Sequence, residues 1–233
     1  SLLTARALGA SEEKVLAFAG SVEFIHTYSL IHDDLPCMDD DDERRGIPTN
    51  HKKFGEDFAL LAGDTLLTEA FGVITKHYGD KAEVGLGLTG MLVHAAGLRG
   101  MIGGQAMDIM PPVGGHNLDQ TIMLHRMKTG ALIRLSVEGA ALISEGSIED
   151  KRKLVDYASH LGYAFQLADD IEDFDPKNPE QTSYAVLMGL EATKAELISE
   201  TKKALSQIEG FSDRAKDLKA IAEFNCHRVN CSL

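Results

Sequence analysis

The sequence predicts an all-α protein, a large helical bundle around a central cleft, on three observations. Most of the 233 residues fall into long segments whose apolar residues recur at helical spacing. Short clusters of glycine and proline separate those segments. No stretch carries the period-two alternation of a half-buried strand over a useful length.

The segments can be taken in order. "SLLTARALGAS" reads as the tail of an apolar helix, and residues are expected upstream of it. Ser11 is a fitting N-cap for a helix over residues 11 to about 35, although Lys14 stands where a capping box would need Glu or Gln. Pro36 ends that helix, because proline lacks the N–H and restricts its predecessor. Residues 46–55, with two glycines and Pro48, form a loop. A second helix runs from residue 56 to about 77 and stops at Gly79-Asp80. A third covers residues 83 to about 109, weakened at Gly103-Gly104, where each glycine costs roughly 1 kcal/mol relative to alanine. That cost points to close packing or to a kink beside a ligand. "PPVGGHN" is a loop, and helices over residues 118–143, 147–173, 183–209 and 213–230 complete a single domain.

Composition narrows the function. Apolar residues make up 44% and charged residues 25%, as in an ordinary globular protein. The net charge of −13 argues against a nucleic-acid partner, whose phosphates call for a basic surface. It leaves a phosphorylated small molecule open, because a bound cation inverts the local field. Three cysteines without disulfide-like spacing suit a reducing compartment, and a cytoplasmic location is expected. No stretch approaches the roughly 20 apolar residues of a membrane span.

Charge is most concentrated at "IHDDLPCMDDDDERRG", where seven carboxylates fall between Asp33 and Glu43 and two arginines follow. A solvated acidic loop is the plain alternative, since like charges on one face repel by a few tenths of a kcal/mol per pair, roughly. Two details favour chemistry. The acids follow the apolar "EFIHTYSLI", so their helix has a buried side, and Arg44-Arg45 suits a phosphate. Asp33 has Cys37 at i+4; the Pro36-Cys37 pair reads as an insertion whose bulge carries Asp39 into the i+4 place. His26 lies two turns before Asp33 on the same face, as either a structural or a substrate-binding histidine.

A second cluster, "FQLADDIEDFD", places Asp169 and Asp173 at i and i+4 on one face, with Gln166 one turn earlier. Acids at a helix C-terminus oppose the helix dipole, so two such clusters need a counter-charge. Facing each other across a bundle, they would hold hard divalent cations through oxygen, and Mg²⁺ shares such ligands with phosphate. "HRMKTG" sets Lys128 and Thr129 in mid-helix, pointing either to solvent or into the cleft.

Together these residues resemble the trans-isoprenyl diphosphate synthases, the short-chain prenyltransferases that make geranyl, farnesyl and geranylgeranyl diphosphate. "DDLPCMDDDDERRG" is similar to the first aspartate-rich motif of that family and "DDIED" to the second. "PTNHKKFGED", "LLAGDTLL", "GGQAMD", "HRMKTGALI" and "FQLADD" match in order, and the likeness runs from Ser1 to about Val229.

The resemblance implies an isoprenoid synthase-like fold and a Mg²⁺-dependent head-to-tail condensation of isopentenyl diphosphate with an allylic diphosphate. It implies that Asp33, Asp39 and Asp169 coordinate a Mg²⁺ cluster, assisted by Asp34 and Asp173. Arg44, Lys128 and Thr129 would bind the allylic diphosphate with Gln166 close by, and His26 and Arg45 would hold isopentenyl diphosphate. A homodimer is implied as well. Residues just before the first aspartate limit product length in the family. A helical wheel puts Ser29 nearer the Asp33 face than Tyr28, so periodicity does not choose between them. An aromatic at Tyr28 together with the two-residue insertion resembles bacterial-type farnesyl diphosphate synthases, which favours a fifteen-carbon product over the twenty-carbon alternative.

Two departures accompany the likeness. The family's N-terminal Gly-Gly-Lys-x-x-Arg-Pro block is absent, as expected if the chain starts downstream of it. Gln181 stands where the family carries a lysine on a mobile loop, with Lys177 as a possible substitute. The competing functions are a non-catalytic partner subunit, a class I terpene cyclase and a ligand-free acidic bundle.

Overall fold

The computed structural model describes residues 1–177 and 183–233. The elements are helices α1 (Leu2–Ala7), α2 (Glu13–Asp33), α3 (Asn50–Phe54), α4 (Glu56–Tyr78), α5 (Ala82–Ala96), α6 (Met101–Ile109), α7 (Leu118–His125), α8 (Ala131–Ile143), α9 (Ile148–Glu172), α10 (Tyr184–Met188), α11 (Leu190–Ile208) and α12 (Lys216–Arg228). Strands β1 (Glu43–Arg44) and β2 (Ile47–Pro48) form one short hairpin, so the all-α prediction holds. The chain divides into two compact units, one of residues 1–15 with 90–233 and one of residues 16–89.

In the smaller unit, α2 and α4 run antiparallel. The Phe18 N–H donates to the Tyr78 hydroxyl at 3.1 Å, Ser21 Oγ donates to the Ala70 carbonyl at 2.7 Å, and His32 Nε2 meets the Leu60 carbonyl at 3.0 Å. Phe18 and Ile25 of α2 and Ile74 of α4 are fully buried. An 18-residue window of α4 has a mean hydropathy of 1.4, which by length and composition alone reaches the range of a membrane span. Asp64 and Glu69 interrupt its apolar run without lowering that mean far enough. Phe58 and Leu61 on it are 66% and 61% exposed.

In the larger unit, α9 is the central element. Leu154, Tyr157 and Ala158 of α9 pack with Val137 of α8, Ile208 of α11 and Leu218 of α12. Nearer its C-terminus, Tyr163, Leu167 and Ala168 pack with Tyr184, Leu197 and Cys226. The Tyr157 hydroxyl donates to the Leu218 carbonyl at 2.7 Å, so its buried polar end is satisfied. Ser147 caps α9 by accepting the Asp150 N–H at 3.0 Å, and Asn117 and Gln120 form a reciprocal capping box on α7.

Several boundaries differ from those read in the sequence. The predicted third helix is two helices, α5 and α6, broken at 97–100 and not at Gly103-Gly104. Those two glycines lie inside α6 for close packing: a Cβ on Gly104 would come within 2.8 Å of Lys128 Cα and one on Gly103 within 2.8 Å of Met127 Cε. The helix predicted over residues 118–143 contains a π-helical turn, Arg126–Gly130. The helix over 183–209 is split at Gly189, whose φ is 85°. Glu209–Ala215 is a 3₁₀ segment, so the last helix starts at Lys216.

Candidate functional site

The first cluster begins where α2 ends, at Asp33. The Asp39 N–H donates to the Asp33 carbonyl at 2.9 Å, and the Asp40 N–H to the Leu35 carbonyl at 3.2 Å. The chain therefore loops out through Pro36 and Cys37 and returns, which is the bulge expected from the insertion. Asp40 adopts a left-handed φ of 53° in making that return.

Hydrogen bonds and ion pairs explain how so many acids coexist. Arg44 Nε donates to Asp34 Oδ1 at 2.8 Å, its Nη2 lies 2.6 Å from the same oxygen, and Asp41 is 3.4 Å away. Lys52 of α3 lies 2.7 Å from Asp42 and 3.9 Å from Asp40. Lys52 holds the exposed Asp42 carboxyl below the usual carboxylate range. Thr49 Oγ1 donates to the Asp41 carbonyl at 2.8 Å, tying the loop to the start of α3. Asp34 is buried and Asp39 is exposed.

The hairpin after the acids has a two-residue turn, Arg45-Gly46, with φ of 53° and 77°. Positive φ at both central positions matches the twist of the flanking strands, and Gly46 accepts it without cost. Arg45 accepts it against its own preference and leaves its cation exposed. Of the two chain-length candidates, Tyr28 is 5% exposed, while Ser29 is partly buried and its Oγ donates to the His26 carbonyl at 2.9 Å. Burial, with a smaller push from Asp33, raises the Tyr28 phenol to about 12, so it stays protonated. Its ring meets His32 edge-on at 5.7 Å. His26 is partly buried in the same helix.

The larger unit carries the other predicted residues. Lys128 and Thr129 lie on the π turn, a local widening that frequently marks functional sites. Lys128 Nζ donates to Asp108 Oδ2 at 2.5 Å. Thr129 Oγ1 donates to Gln166 Oε1 at 2.7 Å, and Gln166 Nε2 donates to Asp169 Oδ2 at 2.9 Å. Four predicted residues are thus placed side by side on the π turn and the last turns of α9. Burial pushes the Asp169 carboxyl up against the opposing pull of Arg228. Asp173, one turn on, ends α9 with its N–H on the Asp169 carbonyl at 2.9 Å and is exposed.

Sequence reading missed four contributors. Asp108 partners Lys128, a role that neither the glycines of "GGQAMD" nor its place among the matched blocks assigns to it. Asp170 is buried, accepts the Tyr184 N–H at 2.6 Å and lies 3.6 Å from the buried His125, so it anchors the start of α10. Arg228, near the far end of the chain, reaches Asp169 at 2.6 Å and Glu172 at 2.9 Å. The signal for Asp170 was its adjacency to Asp169; for His125 and Arg228 the sequence carried none. The Gln181 position lies outside the described residues.

A cavity of about 980 Å³ opens in the larger unit, walled by His94, Arg99, Met123, Arg126, Arg134 and His160. Lys128, Thr129, Gln166 and Asp169 are not on its wall, so it is distinct from the predicted site.

The donor set suits magnesium. The candidate ligands are all carboxylates, the hard oxygen donors Mg²⁺ prefers, and Mg²⁺ uses one or two of them together with water and phosphate oxygens. Among the described residues, no three His, Cys, Asp or Glu side chains converge into a metal-binding group.

Comparison with known proteins bears directly on these features. The Polyprenyl synthetase family pattern matches residues 1–203. The farnesyl diphosphate synthase of Bacillus subtilis (strain 168) is 42% identical over 225 residues, which cover 91% of this chain and 76% of that one. The chloroplastic geranylgeranyl pyrophosphate synthase of Capsicum annuum is 38% identical, over 96% of this chain and 64% of that one. Among solved structures, an FPP/GFPP synthase from Zymomonas mobilis in its apo form aligns with a TM-score of 0.87 at 34% identity, over 96% of this chain and 80% of that one. A geranyltransferase from Legionella pneumophila aligns at 0.88 and 31% identity, over 98% and 80%. With its two aspartate clusters, its helical fold and these matches, the chain belongs to the polyprenyl synthetase family.

Proposed function

We propose that the protein is a prenyltransferase that joins isopentenyl diphosphate head-to-tail to dimethylallyl or geranyl diphosphate and releases farnesyl diphosphate. The observation that carries this is the run of contacts Thr129–Gln166–Asp169 beside Lys128 on the π turn, in a member of this family. Relatives named as farnesyl diphosphate synthases, at 42% and 44% identity in Bacillus subtilis and Geobacillus stearothermophilus, support the fifteen-carbon product. So does the buried Tyr28, five residues before Asp33.

In this proposal the two clusters act on one substrate. Asp33, Asp39 and Asp169 hold Mg²⁺, with Asp34 and Asp173 assisting. When bound, Mg²⁺ supplies Lewis-acid neutralisation of the leaving diphosphate. Lys128, Thr129 and Arg44 grip the same diphosphate and stabilise the charge that grows on it as the allylic C–O bond breaks. Lys128 is paired with Asp108 and Arg44 with Asp34. His26 and Arg45 hold isopentenyl diphosphate with its double bond toward the allylic carbon. The new C–C bond forms, and a proton then leaves to the departing diphosphate.

We also propose a homodimer in the cytoplasm. Exposed Phe58 and Leu61 of α4 and Leu86 of α5 offer apolar area that a second copy would cover. The free thiols of Cys37, Cys226 and Cys231 suit a reducing compartment. Light scattering after gel filtration tests the first point, and a monomer at micromolar concentration would refute it.

The enzymatic test is incubation of the purified protein with Mg²⁺, dimethylallyl diphosphate and labelled isopentenyl diphosphate, followed by sizing of the dephosphorylated products. A farnesol-length product is expected. A twenty-carbon product would favour a geranylgeranyl synthase, a reading supported by the Capsicum relative. No consumption of isopentenyl diphosphate would turn the balance to a non-catalytic partner subunit.

A further inference from the structure

The second aspartate cluster holds a cation of its own. Arg228, the last residue of α12, lays its guanidinium along the final turns of α9. Its Nη2 is 2.6 Å from Asp169 Oδ1 and donates to the Phe165 carbonyl at 2.8 Å, and its Nη1 donates to Glu172 Oε2 at 2.9 Å. The guanidinium also stacks over the Phe165 ring, 4.6 Å from its centroid. Phe165, Asp169 and Glu172 are spaced i, i+4 and i+7, so one face of α9 forms the whole seat. The Arg228 side chain is only 15% exposed.

Both oxygens of Asp169 are therefore engaged, Oδ1 by Arg228 and Oδ2 by Gln166. The two donors differ in what they do to an incoming metal. Gln166 is neutral and orients the carboxylate. Arg228 carries a full positive charge within contact of the oxygen a metal would use, and it balances acids that crowd a helix C-terminus, where the dipole opposes them.

We propose that Arg228 is a positioning residue that acts as a resident counter-ion on Asp169. It keeps the cluster folded while no metal is bound and weakens metal capture until diphosphate arrives. This rests on Asp169 being a metal ligand, as proposed above. A divalent ion arriving alone meets a carboxylate that is already neutralised. An ion arriving with diphosphate brings excess negative charge, which attracts the guanidinium, outweighs its repulsion of the metal and frees Asp169 for the cation. Metal and diphosphate are then captured together, and the last turn of α12 loosens from α9 as they bind.

The test is direct binding of Mn²⁺, followed by paramagnetic resonance, to the full protein and to Arg228→Gln. Without diphosphate the variant is expected to bind Mn²⁺ about tenfold more tightly, the size of effect that groups contacting metal ligands commonly exert. Equal or weaker binding would overturn the proposal, because a merely structural arginine would loosen the site when lost. Should the variant not fold, the unaltered protein gives the answer through amide exchange. Mn²⁺ with inorganic pyrophosphate is expected to speed exchange in the last turn of α12, and unchanged exchange there would refute the loosening. Failure of the underlying function is distinguishable: a protein that neither turns over nor binds Mn²⁺ refutes both, whereas an active protein with the same Mn²⁺ affinity in both forms refutes the role of Arg228 alone.

Discussion

The two aspartate clusters solve one electrostatic problem in different ways. The first is built on a loop, and its counter-charges come from nearby in the chain: Arg44 follows Asp34 by ten residues, and Lys52 follows Asp42 by ten. The second is built on the end of a long helix, and its cation comes from another helix, with Arg228 lying 56 residues beyond Glu172. A loop can bend its own chain back to bring opposite charges together. A helix holds successive acids rigidly along its axis, so their neutralisation waits on tertiary packing. The first cluster is therefore self-contained and the second depends on the rest of its unit, and each prediction below strains one of the two.

The largest effect should come from removing one acid of each. Asp33→Ala and Asp169→Ala are each expected to lower turnover about a thousandfold, with far-UV circular dichroism unchanged, and chelation of divalent metal should have the same result. Loss in one variant alone would show that the clusters do not share one substrate. Activity above a tenth of wild type in both would remove the metal assignment.

Next in size is Gly104→Ala, which strains the second region alone. The new methyl would fall within 2.8 Å of Lys128 Cα and closer still to its amide nitrogen. Backbone cannot yield as a side-chain tip can, so overpacking should cost about 1–3 kcal/mol. In a chain of this size that lowers the melting temperature by about 2–4 °C for each kcal/mol. It also displaces the π turn, so kcat should fall with the stability. A variant with unchanged melting temperature would show that α6 and the π turn are not in such contact.

Tyr28→Ala strains the first region without touching its charges. It is expected to lengthen the product beyond fifteen carbons, as read by chromatography of the dephosphorylated alcohols. An unchanged product would clear Tyr28 of that role. Burial separates it from Ser29, which the helical wheel had favoured: Tyr28 is 5% exposed, while the Ser29 hydroxyl is satisfied within its own helix by the His26 carbonyl.

The same contrast governs what the sequence could tell. The helices were legible because apolar spacing and Gly or Pro punctuation are local signals, and the return of Asp39 to Asp33 followed from counting residues across Pro36-Cys37. Interruptions within helices were not legible. The π turn at Arg126–Gly130 packs closely against Gly104, 22 to 26 positions earlier, and the break at 97–100 shows no composition that sets it apart from Gly103-Gly104. The partners of the second cluster escaped for the same reason. Asp108 and Arg228 look like ordinary surface charges until folding places them against Lys128 and Asp169.

The smallest effect separates strain from function at the hairpin of the first region. Arg45 occupies a left-handed conformation at φ 53° beside Gly46, where an Asn-Gly pair would fit the turn with less strain. Left-handed backbone costs an ordinary L-residue roughly 1–2 kcal/mol, part of which asparagine recovers through local hydrogen bonding. Arg45→Asn should therefore raise stability by up to about 1 kcal/mol. If the arginine is retained at that cost in order to hold isopentenyl diphosphate, the same substitution should raise KM for that substrate and leave KM for the allylic diphosphate unchanged. A gain in melting temperature with both KM values unchanged would make Arg45 a strained residue without a binding role. The first cluster would then keep Arg44 for its own acids, and the cations for the second substrate would have to come from elsewhere in the chain.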